Sequence, residues 1–522
     1  MSFNKRFSAV FLAVVLVFSL TACSGGGDNG GSDSGFEDGK IPAIDDSKFF
    51  TEQDKDDKIA EDATAVTLDG KSVTLTRSGE FLVTGNIDGG QLIIDADKND
   101  IIQLCLSGVS IKAKNTAAIY VKKAKQVIIT LAEGSSNTLE SIGTFQADAD
   151  NNVDGVVFAK SDLTVNGKGS LTVSTDSGHG IVSKDNLKIT GGTVKVTAAR
   201  HGLSANDSLC ISAGSLNLEA GTDGMNVENL EDTSLGFFYS SGGTFDINCS
   251  SDAIDASSTL TVAGGDYKIS AADDALHSDT DLVIAGGRLD IATCYEGLEG
   301  NSVTVSGGEI SLCSTDDGIN AAGGNDESGF GGFGGGDRFG ASSDSAVTIS
   351  GGSLFIDAGG DGIDSNGSLT VSGGETYVSG PTNSGNSALD FGGEGKITGG
   401  IFVAAGSAGM AQNFSAAEQG TILVTLGNIA ANEKVTLKNG NEELLSFTFQ
   451  KPFASLVVST PDIKKGETYT VSAGGSSVSI EMTELIYGAG GMGGPGGMGG
   501  GFGGHGGGPG GMGGPGGRPV KP

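Results

Sequence analysis

The sequence predicts an all-β chain wound as a right-handed, three-sided parallel β-helix with a small C-terminal β-rich cap. Three observations predict it. A unit of about 22 residues repeats through the middle of the chain, as in the three consecutive copies from Ser241 to Ser306. Within each unit, apolar residues recur at fixed offsets with period two. Glycine is abundant, at 91 residues against 9 prolines, and helix-forming stretches are nearly absent after residue 22.

Each copy opens with Gly-Gly, runs through an alternating strand, turns an acidic corner and closes with a second strand. The first corner residue recurs at Asp154, His179, His201, Asp223, Asp252, Asp274, Glu296, Asp317 and Asp361, with Ser387 as a degenerate last copy. Leu187 and Ile189, Leu209 and Ile211, Leu260 and Val262, and Leu282 and Ile284 follow their corners by eight and ten residues. Val194 and Val196, Leu216 and Leu218, Tyr267 and Ile269, and Leu289 and Ile291 follow by fifteen and seventeen. Ile181, Leu203, Met225, Ile254 or Leu276 comes two residues after a corner. That makes three short strands per coil, each alternating in and out. A lone coil cannot bury its apolar face, whereas stacked coils share a continuous core. A β-sandwich also has many short strands, but it does not require identical spacing at every turn. The right-handed winding follows the preference of parallel crossovers.

In chain order, residues 1–23 are expected to be a lipoprotein signal peptide. Lys5 and Arg6 precede an apolar run from Ala9 to Leu20, too short to span a bilayer, and Leu20-Thr21-Ala22-Cys23 closes it like a bacterial lipobox. Cys23 is then the lipidation site, on the extracellular face of the membrane. Residues 24–60 are expected to be a flexible tether. Residues 61–415 form the β-helix, whose early coils between Ala65 and Leu139 are less regular, as terminal repeats are. Gly323 to Asp344 is a Gly-rich insertion. Residues 416–487 read as a β-rich cap, and residues 488–522 as a disordered Gly/Met/Pro tail.

A formal net charge of -33 argues against nucleic acid and anionic membrane surfaces as direct partners, and favours cations. Beyond Cys23 there are five cysteines, at 105, 210, 249, 294 and 313. An odd count without tight spacing is a poor disulfide framework. Cys294 and Cys313 lie near one corner of adjacent coils, but buried thiols are the default reading.

The chemistry sits at the corners. Asp223, Asp252, Asp274, Glu296, Asp317 and Asp361 form one polar column, and Asn226, Asp255, His277, Glu299, Asn320 and Asp364 a second. Asp273 and Asp316 add acids beside two corners. Carboxylates stacked about 4.8 Å apart repel by a few kcal/mol at an effective dielectric near 20. A Ca²⁺ ion with ligands at about 2.3–2.6 Å fits between two such oxygens. Oxygen ligands point to Ca²⁺ rather than zinc or copper. The competing reading is that Asp and Asn are turn residues capping their own backbone. A turn needs one such residue, however, and these corners supply two or three. For catalysis, Arg200, Lys268 and Arg288 are the basic candidates of a Ca²⁺-dependent lyase, with His201 and His277 nearby. Each also reads as a solvated outward residue. Phe237, Phe238 and Tyr239 in an expanded coil, and Phe330, Phe333 and Phe339 in the insertion, are the aromatics placed for sugar contact.

Four stretches carry a resemblance: GQLIIDADKNDIIQLCLSGVSIKAKNTAAIYVKKAKQVIITLAEGSSNTLES, DDGINAAGGNDESG, GGDGIDSNGSLTVSGG and SLVVSTPDIKKGETYTV. Through them the chain resembles the calcium-bearing parallel β-helix carbohydrate-binding family of biomass-degrading anaerobic bacteria. The resemblance covers most of Ala65 to Tyr487 and implies binding of cellulose and polygalacturonate, with Ca²⁺ held in the helix. It also implies a fold shared with polysaccharide lyases, without established catalysis. The expectation is a non-catalytic, surface-anchored polysaccharide-binding lipoprotein. A Ca²⁺-dependent pectate lyase and a structural adhesin with a protein partner remain the alternatives.

Overall fold

The computed structural model describes residues 45–146, 152–321 and 345–488. Met1 to Cys23, the tether up to residue 44, the whole Gly-rich insertion with its three phenylalanines, and the tail from residue 489 lie outside the described residues.

One coil shows how the sequence becomes a solenoid. His179–Ser183 forms the first side. Asn186–Ala198 forms the other two, bending at Gly191-Gly192. Leu203–Ala205 and Ser208–Ala220 repeat this one coil on, in parallel register: Ile181 beside Leu203, Leu187 beside Leu209, Val194 beside Leu216. The expected inward residues all face the core: Leu187, Ile189, Leu209, Ile211, Leu260, Val262, Leu282 and Ile284 are each 0 % exposed. The columns belong to one hydrophobic cluster running from Leu68 to Val457. The fold is thus a parallel β-helix.

Two glycine requirements explain the Gly-Gly corner. At Gly265 the backbone takes φ +112°, a left-handed conformation that side chains disfavour. At Gly264 a Cβ would lie 2.6 Å from the Ser241 carbonyl oxygen of the preceding coil.

The early coils join this stack in the expected alignment, with Ile119 beside Val157 and Val157 beside Ile181. At the C-terminal end Phe453–Ser459 pairs antiparallel with Ile401–Gly406, so the last coil presents no bare edge there. Four further strands, Lys434–Asn439, Glu442–Thr448, Thr468–Ala473 and Ser476–Glu481, make a separate antiparallel sheet around a second apolar cluster.

The stretch expected to be tether is docked from residue 45 onward. Asp54 is 0 % exposed and pairs with Lys188 Nζ at 2.9 Å. Its carboxylate also accepts from Gln126 Nε2 at 2.7 Å and Thr164 Oγ1 at 2.8 Å. Burial works to raise its carboxyl, but Lys188 and hydrogen bonds from Thr51 and Thr164 outweigh it and hold the group below the usual range. Phe49 stacks on Tyr239 at 3.9 Å between centroids, and Asp46 accepts from the Tyr239 hydroxyl at 2.6 Å. This strap ends the expectation that Phe237, Phe238 and Tyr239 meet a sugar. Phe238 points into the core and Tyr239 lies beneath the strap, each 1 % exposed, while Phe237 edges Phe49 at 6.0 Å. The strap was legible in two signals: the Thr51–Asp54 capping box and the adjacent Phe49 and Phe50 in a polar run.

All five described cysteines are free thiols, and Cys294 Sγ meets the Cys313 carbonyl oxygen at 3.5 Å.

Candidate metal centre at the acidic corners

The corner is a backbone ladder before it is a cluster of side chains. The small residue after each corner acid donates its N–H to the next coil's corner carbonyl: Gly224 to Asp252, Ala253 to Asp274, Ala275 to Glu296, Gly297 to Asp317, Gly318 to Asp361. The coils approach closely here; a Cβ on Gly224 would sit 2.7 Å from the Ala253 carbonyl oxygen. The first acid column is therefore held in register by main chain. The second follows strand pairing, Asn226 beside Asp255, then His277, Glu299, Asn320 and Asp364.

Side chains reinforce the ladder along the axis. Asp252 Oδ1 accepts the backbone N–H of Asp274 at 2.8 Å, and Asp274 Oδ1 that of Glu296 at 3.1 Å. Asp317 and Asp361 cap Asp361 and Ser387 in the same way. Asp252, Asp274, Asp317 and Asp361 thus cap the backbone of the next coil, not their own turn as the turn-capping reading had it.

Carboxylate oxygens of the corners also converge. One ligand atom from each of Asp274, Glu296 and Glu299 lies within 4.8 Å of the others, and the same holds for Asp252 with Asp273 and Asp274, for Asp252 with Asp255 and His277, and for Asp317 with Asp361 and Asp364. The members shared between groups make one continuous run from Asp255 to Glu299. Asn320 links toward the last group by donating from Nδ2 to Glu296 Oε2 at 2.7 Å. Its Oδ1 is buried with no hydrogen-bond partner in the protein.

The protonation states follow from this crowding. Burial first, then the Asp274, Asp255 and Asp223 carboxylates, push Asp252 up to about 9. Burial, then a hydrogen bond with Glu299, holds Asp274 well above the usual carboxylate range. Burial, then Asp361 and Glu296, takes Asp317 to about 10. Asp361 rises to about 6, mainly through burial. Without a cation Asp252, Asp274 and Asp317 hold their protons at neutral pH. The residues fit a hard divalent ion: close carboxylate oxygens, an orphaned amide oxygen, and acids that need a positive charge to ionise.

Asp223, Asn226 and Asp316, three expected site residues, border the acid groups and are engaged by other side chains. Asp223 is taken by His201 Nδ1 at 2.8 Å. Asn226 donates to Asp255 Oδ2 at 2.9 Å. Asp316 hydrogen-bonds the Tyr295 side chain. The histidines at the N-terminal end close the ladder: His179 stacks on His201 at 4.7 Å, and burial, then the His201 and Arg200 charges, lowers His179 to about 3. His277 modifies the all-oxygen expectation. Its Nδ1 meets Asp255 Oδ1 at 2.9 Å and its Nε2 lies 3.8 Å from Glu299 Oε2. Burial works against its charge, but Asp255, Glu299 and Asp252 outweigh it and raise the imidazole to about 10. It serves the cation-free ladder as a built-in positive charge. Of the basic candidates for catalysis, Arg288 is tied to Glu309 at 2.8 Å.

Fold and site together define a class: a parallel β-helix with a buried acid ladder along one corner. The carbohydrate-binding domain-containing family matches residues 69–329, half of the chain, and the chain belongs to it. A carbohydrate-binding domain-containing protein of Acetivibrio thermocellus is 32 % identical over 200 residues, which are 38 % of this chain and 66 % of that relative. The match thus spans just under two thirds of the relative's length. A solved structure, that of the polysaccharide lyase-like protein from C. thermocellum as a gadolinium derivative, is 32 % identical and covers 42 % of this chain and 95 % of its own, at a TM-score of 0.41.

Proposed function

We propose that this protein binds plant cell-wall polysaccharide without cleaving it, on a β-helix loaded with Ca²⁺, and that it is held on the outer membrane face by lipid at Cys23. The observation that carries the reading is the acid ladder, in a chain that belongs to a carbohydrate-binding family. Ions among Asp252, Asp255, Asp273, Asp274, Glu296 and Glu299 would replace the protons of the buried groups and stiffen the solenoid. The group formed by Asp317, Asp361 and Asp364 is more open. There a bound ion would keep a face for a uronate carboxylate, giving a chain of charge -33 its route to polygalacturonate. The ion supplies charge neutralisation and bridging; the protein supplies register and water exclusion.

Calorimetry with polygalacturonate tests this, with Ca²⁺ and after EDTA. Binding that needs Ca²⁺ and falls at least tenfold in Asp361→Asn/Asp364→Asn supports the reading. Affinity unchanged by chelation sinks the bridge. Unsaturated product released from pectin would establish the lyase alternative instead.

A further inference from the structure

We infer that Phe355 and the groove beside it form a second saccharide site, for a neutral pyranose chain, at the joint between solenoid and cap. The inference rests on the carbohydrate-binding reading above but not on the acid ladder.

Phe355 lies on an outward sheet face and is 46 % exposed, one of four exposed large hydrophobics among the described residues. Its register neighbour on the C-terminal side is Tyr377, and the rings stack at 5.2 Å between centroids with 6° between planes. Tyr377 is braced in turn by Phe447 of the cap, at 6.4 Å. The neighbour on the other side is Ser311, whose short side chain cannot cover a ring. One ring face is therefore fixed and packed, and the opposite face opens to solvent. A rigid aromatic with one free face suits the apolar C–H face of a pyranose, because it adds contact area with little entropy left to lose.

The ground on both sides is polar. Ser353, two residues before Phe355 on the same strand face, lines an open groove of about 680 Å³ that runs past Glu375 to the cap loop at Thr460 and Asp462. That volume falls within the roughly 300–1,000 Å³ of small-molecule sites. Two residues after Phe355, Asp357 is paired with Lys451 of the cap at 2.6 Å. That pair neutralises the lysine, and the groove lining carries two further acidic residues, Glu375 and Asp462. Carboxylates accept from sugar hydroxyls and repel uronates. The chemistry selects a neutral chain: one residue stacked on Phe355 and its neighbour in the groove.

The test is calorimetry of the full chain with cellohexaose and, separately, with polygalacturonate and Ca²⁺. Wild type should bind cellohexaose equally well with Ca²⁺ or EDTA. Phe355→Ala should weaken that binding at least tenfold, and Phe355→Trp should preserve it. Phe355→Trp should not change the melting temperature, and neither variant should change the polygalacturonate affinity. Cellohexaose affinity unmoved by Phe355→Ala overturns the site. So does a wild type that binds polygalacturonate but no cellohexaose, an outcome that leaves the calcium-bridged function standing. Loss of polygalacturonate binding in Phe355→Ala overturns the neutral class. A chain that binds neither probe ends both readings.

Discussion

Asp252 Oδ1 accepts the backbone N–H of Asp274, one coil away, at 2.8 Å. This bond gives one carboxylate two roles: it fixes the coil spacing, and it belongs to the acid run. A single substitution can separate the two roles. Asp252→Asn keeps a capping oxygen and removes a carboxyl that would have to ionise to hold a cation. The expected outcome is a cation-free protein at least as stable as wild type, with a reduced rise in melting temperature on adding Ca²⁺. Scanning calorimetry with and without Ca²⁺ checks this.

Proton linkage makes a second prediction. Asp252 binds its proton with a folded-state value of about 9, against 3.8 as the ordinary value. Between those values the native state holds more protons than the unfolded chain. Stability of the cation-free protein should therefore be full near pH 4 and fall as pH rises toward 9, by up to about 1.4 kcal/mol per pH unit for each such group. Ca²⁺ should flatten this fall, and its affinity should increase with pH because binding displaces protons. Urea titrations at pH 5, 7 and 9 in EDTA and in Ca²⁺ measure both. Stability rising with pH in EDTA would count against protonated corners.

The strap makes a third. Asp54→Ala leaves Lys188 without its partner and Gln126 and Thr164 without their acceptor. Removing one member of a buried ion pair costs about 3–5 kcal/mol. The strap should then be cut by protease ahead of the solenoid, and the near-ultraviolet signal of Tyr239 should change as Phe49 leaves it. Limited proteolysis with circular dichroism reads both effects. A strap as resistant as in wild type would show that Phe49 and Phe50 hold it alone.

A fourth prediction concerns the corner glycines. Gly287 has φ +90°, and a Cβ there would lie 2.9 Å from the Gly265 carbonyl oxygen of the previous coil. Gly287→Ala should destabilise the solenoid by about 1–3 kcal/mol. A denaturation midpoint matching wild type would mean that the coils yield at this edge.

The solenoid was legible because its signal is repeated. Offsets of eight, ten, fifteen and seventeen residues are local facts, and each coil restates them, so Leu187, Leu209, Leu260 and Leu282 could be placed in the core from spacing alone. The two corner columns were legible for the same reason. Less of the site could be read. Column membership did not reveal that His201 claims Asp223, or that His277 supplies a positive charge within the run, since both depend on side-chain direction across coils. Tyr239 looked available because exposure is not a property of its own coil.

The sequence by itself determined the winding, the core columns and the acid ladder, because these rest on contacts between residues one period apart. The tertiary structure alone decided what covers that scaffold and what stays open. Asp54 meets Thr164 across 110 residues of chain, and Asp46 meets Ser241 across 195. Phe355 is braced through Tyr377 by a cap that folds back from beyond residue 420. No period carries such pairings. They arise where distant segments bury a charge or a ring together, and they set which carboxylates, aromatics and grooves remain for a ligand.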